Sequence, residues 1–138
     1  MATNFDLINV MKKLPLSVFP LQTLDDVEDV EMCFQSGNTN STTNIMDFKQ
    51  MLSNNFETTN LHDRKFTLLV NSRFDMVFSN KLRKSLAMDQ VSVGRPTIIG
   101  QSLIYTVIEE TLIKLTDKCM KLTKKDVKTR FRNWLQQK

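Results

Sequence analysis

The side chains best suited to chemistry lie together at the C-terminal end of the chain, in residues 124–138. Lysine and arginine there can neutralise phosphates, while amide and hydroxyl groups can hydrogen-bond to the edges of bases. Solubility alone does not require amides at the centre of such a surface, so the mixture favours contact with nucleic acid. The DNA-binding residues predicted in this segment are Lys124, Lys125, Lys128, Thr129, Arg130, Arg132, Asn133 and Gln136.

A single amphipathic helix would present these side chains together. Its apolar residues fall at i, i+4, i+7 and i+8, and at about 100° per residue they cluster within an arc of roughly 100°. Thr123 can cap this helix, and Asp126 places a negative charge in the first turn, where the helix dipole favours it. We therefore predict a helix whose apolar face packs on the core and whose opposite face can enter a major groove. The apolar positions are Val127, Phe131, Trp134 and Leu135.

Charge is divided unevenly along the chain. Residues 1–60 hold three basic and eight acidic side chains, a net charge of −5, whereas residues 61–138 hold sixteen basic and seven acidic, a net charge of +9. Clustered cations gain affinity for a polyanion by displacing the counterions of its phosphates. The second part of the chain is therefore expected to meet a polyanion such as double-stranded DNA.

Catalytic and metal-binding patterns do not emerge from the remaining residues. Cys33 and Cys119 are too few for a disulfide framework or a zinc site, and they favour a reducing compartment. His62, the sole histidine, has no neighbouring nucleophile or ligand, and a capping or surface position is the expectation for it. The acidic run at 25–29 lacks the ligand spacing of an EF-hand, and residues 94–97 lack the other glycines and the lysine of a phosphate-binding loop. We expect no enzyme activity, catalytic residue, metal or cofactor.

No apolar run approaches the roughly 20 residues of a membrane span. The order of charges at the N-terminus is the reverse of that in a secretory signal, because Asp6 precedes the short apolar run and Lys12 and Lys13 follow it. The protein is thus expected to be intracellular, not secreted and not bound to a membrane. The glycosylation sequon at 40–42 is then a chance match.

The length of 138 residues fits one domain, and three glycines are too few for an all-β fold rich in turns. We predict a mostly α fold: a compact bundle of about five helices with a small β element near residues 27–46. Period-two alternation at 30–35 predicts the strand, and apolar spacing predicts helices over 47–55, from about 60 to 78, after Ser79, over 98–119 and after Thr123. Residues 1–25 are interpreted as an N-terminal arm and 26–138 as a single helical domain.

From Phe66 onward the chain resembles a BEN domain, a helical DNA-binding module of chromatin proteins and some viral proteins. Members show an aliphatic-Phe pair ending a helix, a Leu-Ala step, a Ser-x-x-Gly-Lys/Arg loop, an aliphatic helix and a final basic helix. The resemblance implies that this final helix reads DNA, with Ser92 and Arg95 in a phosphate-contacting loop. It also implies a role in transcriptional or chromatin regulation, in the nucleus or as an intracellular viral protein. The matching segments are 77–78, 86–87, 92–95, 98–115 and 124–133.

Two other families share parts of this pattern. Residues 127–133 resemble the Val-Lys-x-Trp-Phe-x-Asn recognition helix of homeodomains, with Arg130 in the place of the Trp and Trp134 where a basic residue belongs. Residues 122–127 resemble the last loop and helix of histone-fold proteins, although Pro96 shortens the preceding helix. Neither fits the whole second part of the chain as well as the BEN pattern does.

Two functional hypotheses follow from these patterns. The first is a DNA-binding module that reads double-stranded DNA with its last helix and places two copies on one duplex, since one helix covers few base pairs. The second is a protein-interaction or adaptor domain whose basic helix docks an acidic partner. Eight methionines would give that docking surface its adaptable contacts.

Overall fold

The computed structural model describes residues 11–57, 62–91, 94–95 and 97–137. Within these residues the chain forms six α-helices and one pair of short parallel strands. The mostly helical fold class, with a small β element, is thereby confirmed. In chain order, after a 3₁₀ turn at Leu16–Val18, the elements are α1 (Leu24–Phe34), α2 (Ser41–Ser53), α3 (Asp63–Val77), α4 (Asn80–Arg83), β1 (Leu86–Ala87), β2 (Thr97–Ile98), α5 (Leu103–Thr116) and α6 (Lys124–Leu135).

Side-chain caps fix where most of the helices begin. A cap satisfies backbone N–H groups that have no partner within the first turn of a helix. Thr123 caps α6 as predicted, and Asp126, which was predicted only to place a negative charge in the first turn, completes a reciprocal capping box with it. Ser79 caps α4 as predicted, and His62 caps α3 through Nδ1, which accepts from the backbone N–H of Lys65 at 3.3 Å.

Helix α5 lies at the centre of a single hydrophobic core, in contact with α1, α2 and α6. Tyr105 of α5 packs against Phe131 of α6, with ring centroids 5.1 Å apart. Glu110 of α5 lies roughly 140° further round the same helix and faces Lys49 of α2, with its Oε2 atom 4.0 Å from the Nζ atom. Helices α1 and α2 therefore lie on one side of α5, and α6 lies on another. Helix α3 completes the bundle by packing on α6.

The described part of the predicted N-terminal arm belongs to the core. Leu14 and Leu21 are both buried, and the backbone of Leu21 pairs with the chain at the end of α3. Asn44 of α2 is fully buried, ties the arm down with two hydrogen bonds and makes a third to α1. It accepts from the N–H of Leu14 at 2.9 Å and donates to the carbonyls of Lys12 and Cys33, each at 2.9 Å.

The predicted position of the β element near residues 27–46 is wrong, because this stretch forms most of α1 and the first part of α2. Val27, Val30 and Phe34 are buried at i, i+3 and i+7, which is helical spacing. A six-residue alternation is too short to distinguish the two periods, and the capping box of Thr23 and Asp26 decides for a helix. The strands form instead at β1 and β2, where Leu86 pairs with Thr97 and Ala87 with Ile98.

The predicted central helix over 98–119 is shorter than expected, because α5 begins at Leu103 and ends at Thr116. Ser102 caps it by accepting from the N–H of Tyr105 at 3.0 Å. Gly100 lies against Met88, and a Cβ atom at this glycine would stand 2.3 Å from the Met88 carbonyl oxygen. The glycine is therefore needed where the chain turns from β2 into α5, which the apolar stripe alone did not reveal.

Candidate nucleic-acid interface

Helix α6 is fixed on the core by the apolar face that the sequence predicted. Phe131 and Trp134 are stacked with ring centroids 5.6 Å apart, and Phe74 and Phe78 of the α3 region surround them. The indole N–H of Trp134 donates to Asp75 Oδ1 at 2.9 Å, so the polar edge of this ring is also satisfied. All four predicted apolar positions, Val127, Phe131, Trp134 and Leu135, are buried.

The opposite face of α6 points to solvent. Across the described part of the chain, none of six predicted DNA-binding side chains on this face or its flanks makes a hydrogen bond or a salt bridge. They are all exposed and therefore available to a ligand: Lys124, Lys125, Lys128, Thr129, Asn133 and Gln136. The remaining two predicted residues of the helix, Arg130 and Arg132, are held by neighbouring elements.

Arg132 is paired with an acidic residue of the loop that follows β1. Its Nε and Nη2 atoms donate to Asp89 Oδ2 at 3.2 and 2.6 Å. Both side chains are about half exposed, at 50% and 58% of their surface. The guanidinium is thus held at the edge of the exposed face by a carboxylate that competes with any phosphate.

Arg130 crosses from α6 to α3. Its guanidinium lies over the ring of Phe66, 4.9 Å from the centroid, and Nη1 donates to Thr67 Oγ1 at 3.1 Å. A cation above an aromatic face is held by the ring quadrupole, and the hydrogen bond fixes its direction. Arg130 is therefore more rigid than the lysines of the same helix.

Arg95 is one of two predicted DNA-binding residues in the loop before β2, and it contacts other parts of the protein. Its Nη1 atom donates to the carbonyl of Leu86 at 2.6 Å and its Nη2 atom to that of Leu135 at 2.9 Å. A cation at the C-terminal end of a helix is favoured by the helix dipole. Arg95 thus joins β1 to the end of α6, and a phosphate contact for it stays a prediction. Ser92 lies outside the described residues.

Two clefts flank α6, and Asn133 borders both of them. The larger, of about 560 Å³, lies between α6 and α3 and includes Thr67 and Asn71 of α3. The smaller, of about 300 Å³, lies between α6 and the segment of Met88 and Gln90. The sequence did not indicate Thr67 or Asn71, because helical periodicity predicts only which side of α3 is apolar. Their part in this surface depends on how α3 packs against a helix that begins some fifty residues later.

Titratable groups near α6 have pKa values displaced in directions that keep their ordinary charge. Hydrogen bonds from the backbone and side chain of Thr123 lower the pKa of Asp126. Burial and the neighbouring Glu109 carboxylate raise the pKa of Tyr105 well above its usual range. Asp126 is thus ionised and Tyr105 neutral at physiological pH. Neither is poised near neutrality as a general acid or base would be.

Within the described ranges, no group of three or more His, Cys, Asp and Glu side chains is arranged to hold a metal ion. None of the helices in those ranges has the length and apolar character needed to cross a membrane. Comparisons of the chain with protein-family models, with curated proteins and with solved structures each find no match. The resemblances to BEN domains and homeodomains therefore stay predictions from the sequence.

Proposed function

We propose that this protein is a DNA-binding module that inserts the exposed face of α6 into the major groove of a duplex. The observation that carries the proposal is the contrast between the two faces of that helix. One face is buried against the aromatic rings of Phe74, Phe78 and Tyr105. The other presents lysine, threonine, asparagine and glutamine side chains that make no hydrogen bond or salt bridge in the described structure. An α-helix fits the major groove, and these side-chain types are suited to phosphates and base edges. As the BEN resemblance implies, the setting we propose is transcriptional or chromatin regulation in the nucleus.

Phosphate contacts would supply most of the affinity. Lys124, Lys125 and Lys128 form no salt bridge in the described residues, so no ion pair within the protein has to break before they bind. Each phosphate that a cation neutralises changes the slope of log K against log salt by about −0.9 for duplex DNA. Binding should therefore weaken steeply as the salt concentration rises.

Base reading would depend on the centre of the exposed face. Asn133 borders the clefts on both sides of α6, so its amide lies on the ridge that would go deepest into a groove. A bidentate contact between an amide side chain and adenine contributes roughly 1–3 kcal/mol of discrimination. Lys128, by contrast, offers a charge to the backbone and no base pattern.

A mobility-shift titration tests the proposal with purified protein and a pool of random duplexes, followed by the selected sequence and a scrambled one. Wild-type protein should retain the duplexes at 50 mM salt and release most of them at 200 mM. Asn133→Ala should reduce the preference for the selected sequence by roughly tenfold, whereas Lys128→Ala should weaken both duplexes equally and lower the salt slope by about one unit. Failure of the wild-type protein to retain any duplex at low salt would refute the proposal.

Two copies are expected on one long duplex. A single helix reads few base pairs, and small modules of this kind commonly bind as pairs. Light scattering should show a monomer free in solution and a complex with two proteins per duplex at saturation. A saturated complex with one protein per duplex would contradict this expectation.

A second candidate function is an adaptor domain that binds an acidic peptide. Met120 favours it, because this side chain is 39% exposed and lines the cleft beside the basic helix. An apolar contact next to cations suits an acidic amphipathic segment. Titration with an acidic amphipathic peptide separates the two functions: an adaptor should bind the peptide and lose that binding in a Met120→Ser variant, whereas a DNA-binding module should not bind it.

A further inference from the structure

A second helix contributes to the surface around α6. Thr67 and Asn71 of α3 line the larger cleft, on the wall opposite Lys125, Thr129 and Asn133 of α6. Thr67 and Asn71 are one turn apart, and Arg64 precedes Thr67 by three residues, so helical spacing places all three on the same face. Arg64 is exposed and forms no salt bridge within the described structure. Hydrogen-bonding side chains of α3 thus face those of α6 across the larger cleft.

Arg130 spans the two walls at one point of the cleft. Because Thr67 Oγ1 accepts a hydrogen bond from Arg130 Nη1 at 3.1 Å, the hydroxyl proton of Thr67 remains available to a ligand. The amide of Asn71 offers two further donors and has no side-chain partner among the described residues. The cleft therefore presents neutral donors on the α3 wall and the cations Lys125 and Arg130 on the α6 wall.

Three acidic groups lie near the cleft, and two of them are already engaged. Asp126 lines it, but its carboxylate accepts from the N–H of Thr123 at 2.9 Å as part of the capping box. Asp75, one turn beyond Asn71, accepts from the indole N–H of Trp134. Asp63, one turn before Thr67, is exposed. These carboxylates equal in number the cations Arg64, Lys125 and Arg130, so the cleft suits a phosphate through its hydrogen-bond donors and not through an excess of positive charge.

We propose that this cleft holds the sugar–phosphate backbone of one DNA strand, so that α3 grips the strand beside the groove that α6 enters. The inference rests on the proposed function and names a second contact helix for it. Hydroxyl and amide side chains commonly bind phosphate oxygens and fix the register of a protein on the duplex. Thr67 and Asn71 would make such neutral contacts, and Arg64 would neutralise one phosphate.

The test compares Arg64→Gln with Lys65→Gln in the full chain, using the salt dependence of duplex binding. The two variants remove the same charge from adjacent positions, but Lys65 lies on another side of α3, where it borders a depression with Leu68 and Ser72. Arg64→Gln should lower the magnitude of the salt slope by about 0.9. Lys65→Gln should leave the slope as it is in the wild-type protein. Equal slopes for the two variants would overturn the inference.

Asn71→Ala gives a second, independent readout. Losing a neutral donor should weaken selected and scrambled duplexes alike by roughly two- to tenfold and leave the salt slope unchanged. Asn71→Asp, which is nearly isosteric, should weaken binding further because its carboxylate would repel the phosphate. Unchanged affinity in both folded variants, as judged by circular dichroism, would overturn the inference. If the wild-type protein still binds DNA and Lys128→Ala still lowers the slope, only the role of α3 fails; if the wild-type protein does not bind, both proposals fail.

Discussion

Replacing Trp134 should be among the most destabilising single changes in the described structure. Its side chain is 1% exposed and stacks on Phe131 with centroids 5.6 Å apart. The guanidinium of Arg83 lies 5.4 Å from the centre of the Trp134 ring, and the indole N–H of Trp134 donates to Asp75 at 2.9 Å. Truncating a buried aromatic residue to alanine costs about 3–5 kcal/mol, a large share of a total stability of about 5–15 kcal/mol.

Trp134→Phe separates packing from the hydrogen bond. It keeps an aromatic ring in the cluster but removes the N–H donor, so the expected loss is about 1–2 kcal/mol. Urea denaturation followed by far-ultraviolet circular dichroism measures both variants, because Trp134 is the only tryptophan and its fluorescence is lost with it. A loss below about 1 kcal/mol for Trp134→Ala, with an unchanged m-value, would show that α6 is not packed as described.

Three further predictions concern separate parts of the molecule. Asn44→Ala leaves the N–H of Leu14 and the carbonyl of Cys33 without partners, whereas the carbonyl of Lys12 still accepts from Asn38. Thermal melts should show a loss of about 2–4 kcal/mol; a loss under 0.5 kcal/mol would contradict this. Because Thr123 lowers the folded-state pKa of Asp126, this carboxylate stabilises the fold above its unfolded pKa near 4. The wild-type protein should therefore have a higher free energy of unfolding than Asp126→Asn at neutral pH, and this difference should disappear as the pH falls through the lowered pKa. A difference in unfolding free energy that does not depend on pH would refute the prediction. Asp89→Asn should release Arg132 and tighten duplex binding by roughly two- to fivefold, whereas weaker binding would mean that the ion pair orients Arg132 for DNA.

The sequence was sufficient to predict α6 in detail, because each of its signals is local. The cap at Thr123, the charge at Asp126 and the apolar positions all lie within thirteen residues, where helical periodicity and capping chemistry apply directly. The same reasoning was enough for the apolar positions of α3 and for the cap at Ser79. The strand predicted at residues 30–35 is wrong, because a short apolar alternation fits a helix as well, and the capping box of Thr23 and Asp26 begins one there.

Contacts between distant segments could not be predicted in this way. Arg95 binding the end of α6, Asp89 pairing with Arg132 and Glu31 accepting from the N–H groups of Leu103 and Ile104 each join residues more than thirty positions apart. Such partners are set by tertiary packing, and a single sequence carries no local pattern for them. Six of the predicted residues thus lie exposed along α6, and their contact with DNA stays a prediction. The way in which neighbouring elements hold the arginines of this helix emerged only from the structure.

The acidic side chains of α1 and the basic side chains of α6 lie on different sides of α5. The exposed carboxylates of Asp25, Glu28 and Asp29 lie on α1, on one side of α5, whereas the lysines of α6 lie on another. The molecule consequently carries an electric dipole in addition to its net charge of +4. In the field of a polyanion this dipole exerts a torque, which would turn α6 toward the duplex before contact and would act on the association rate more than on the lifetime of the complex.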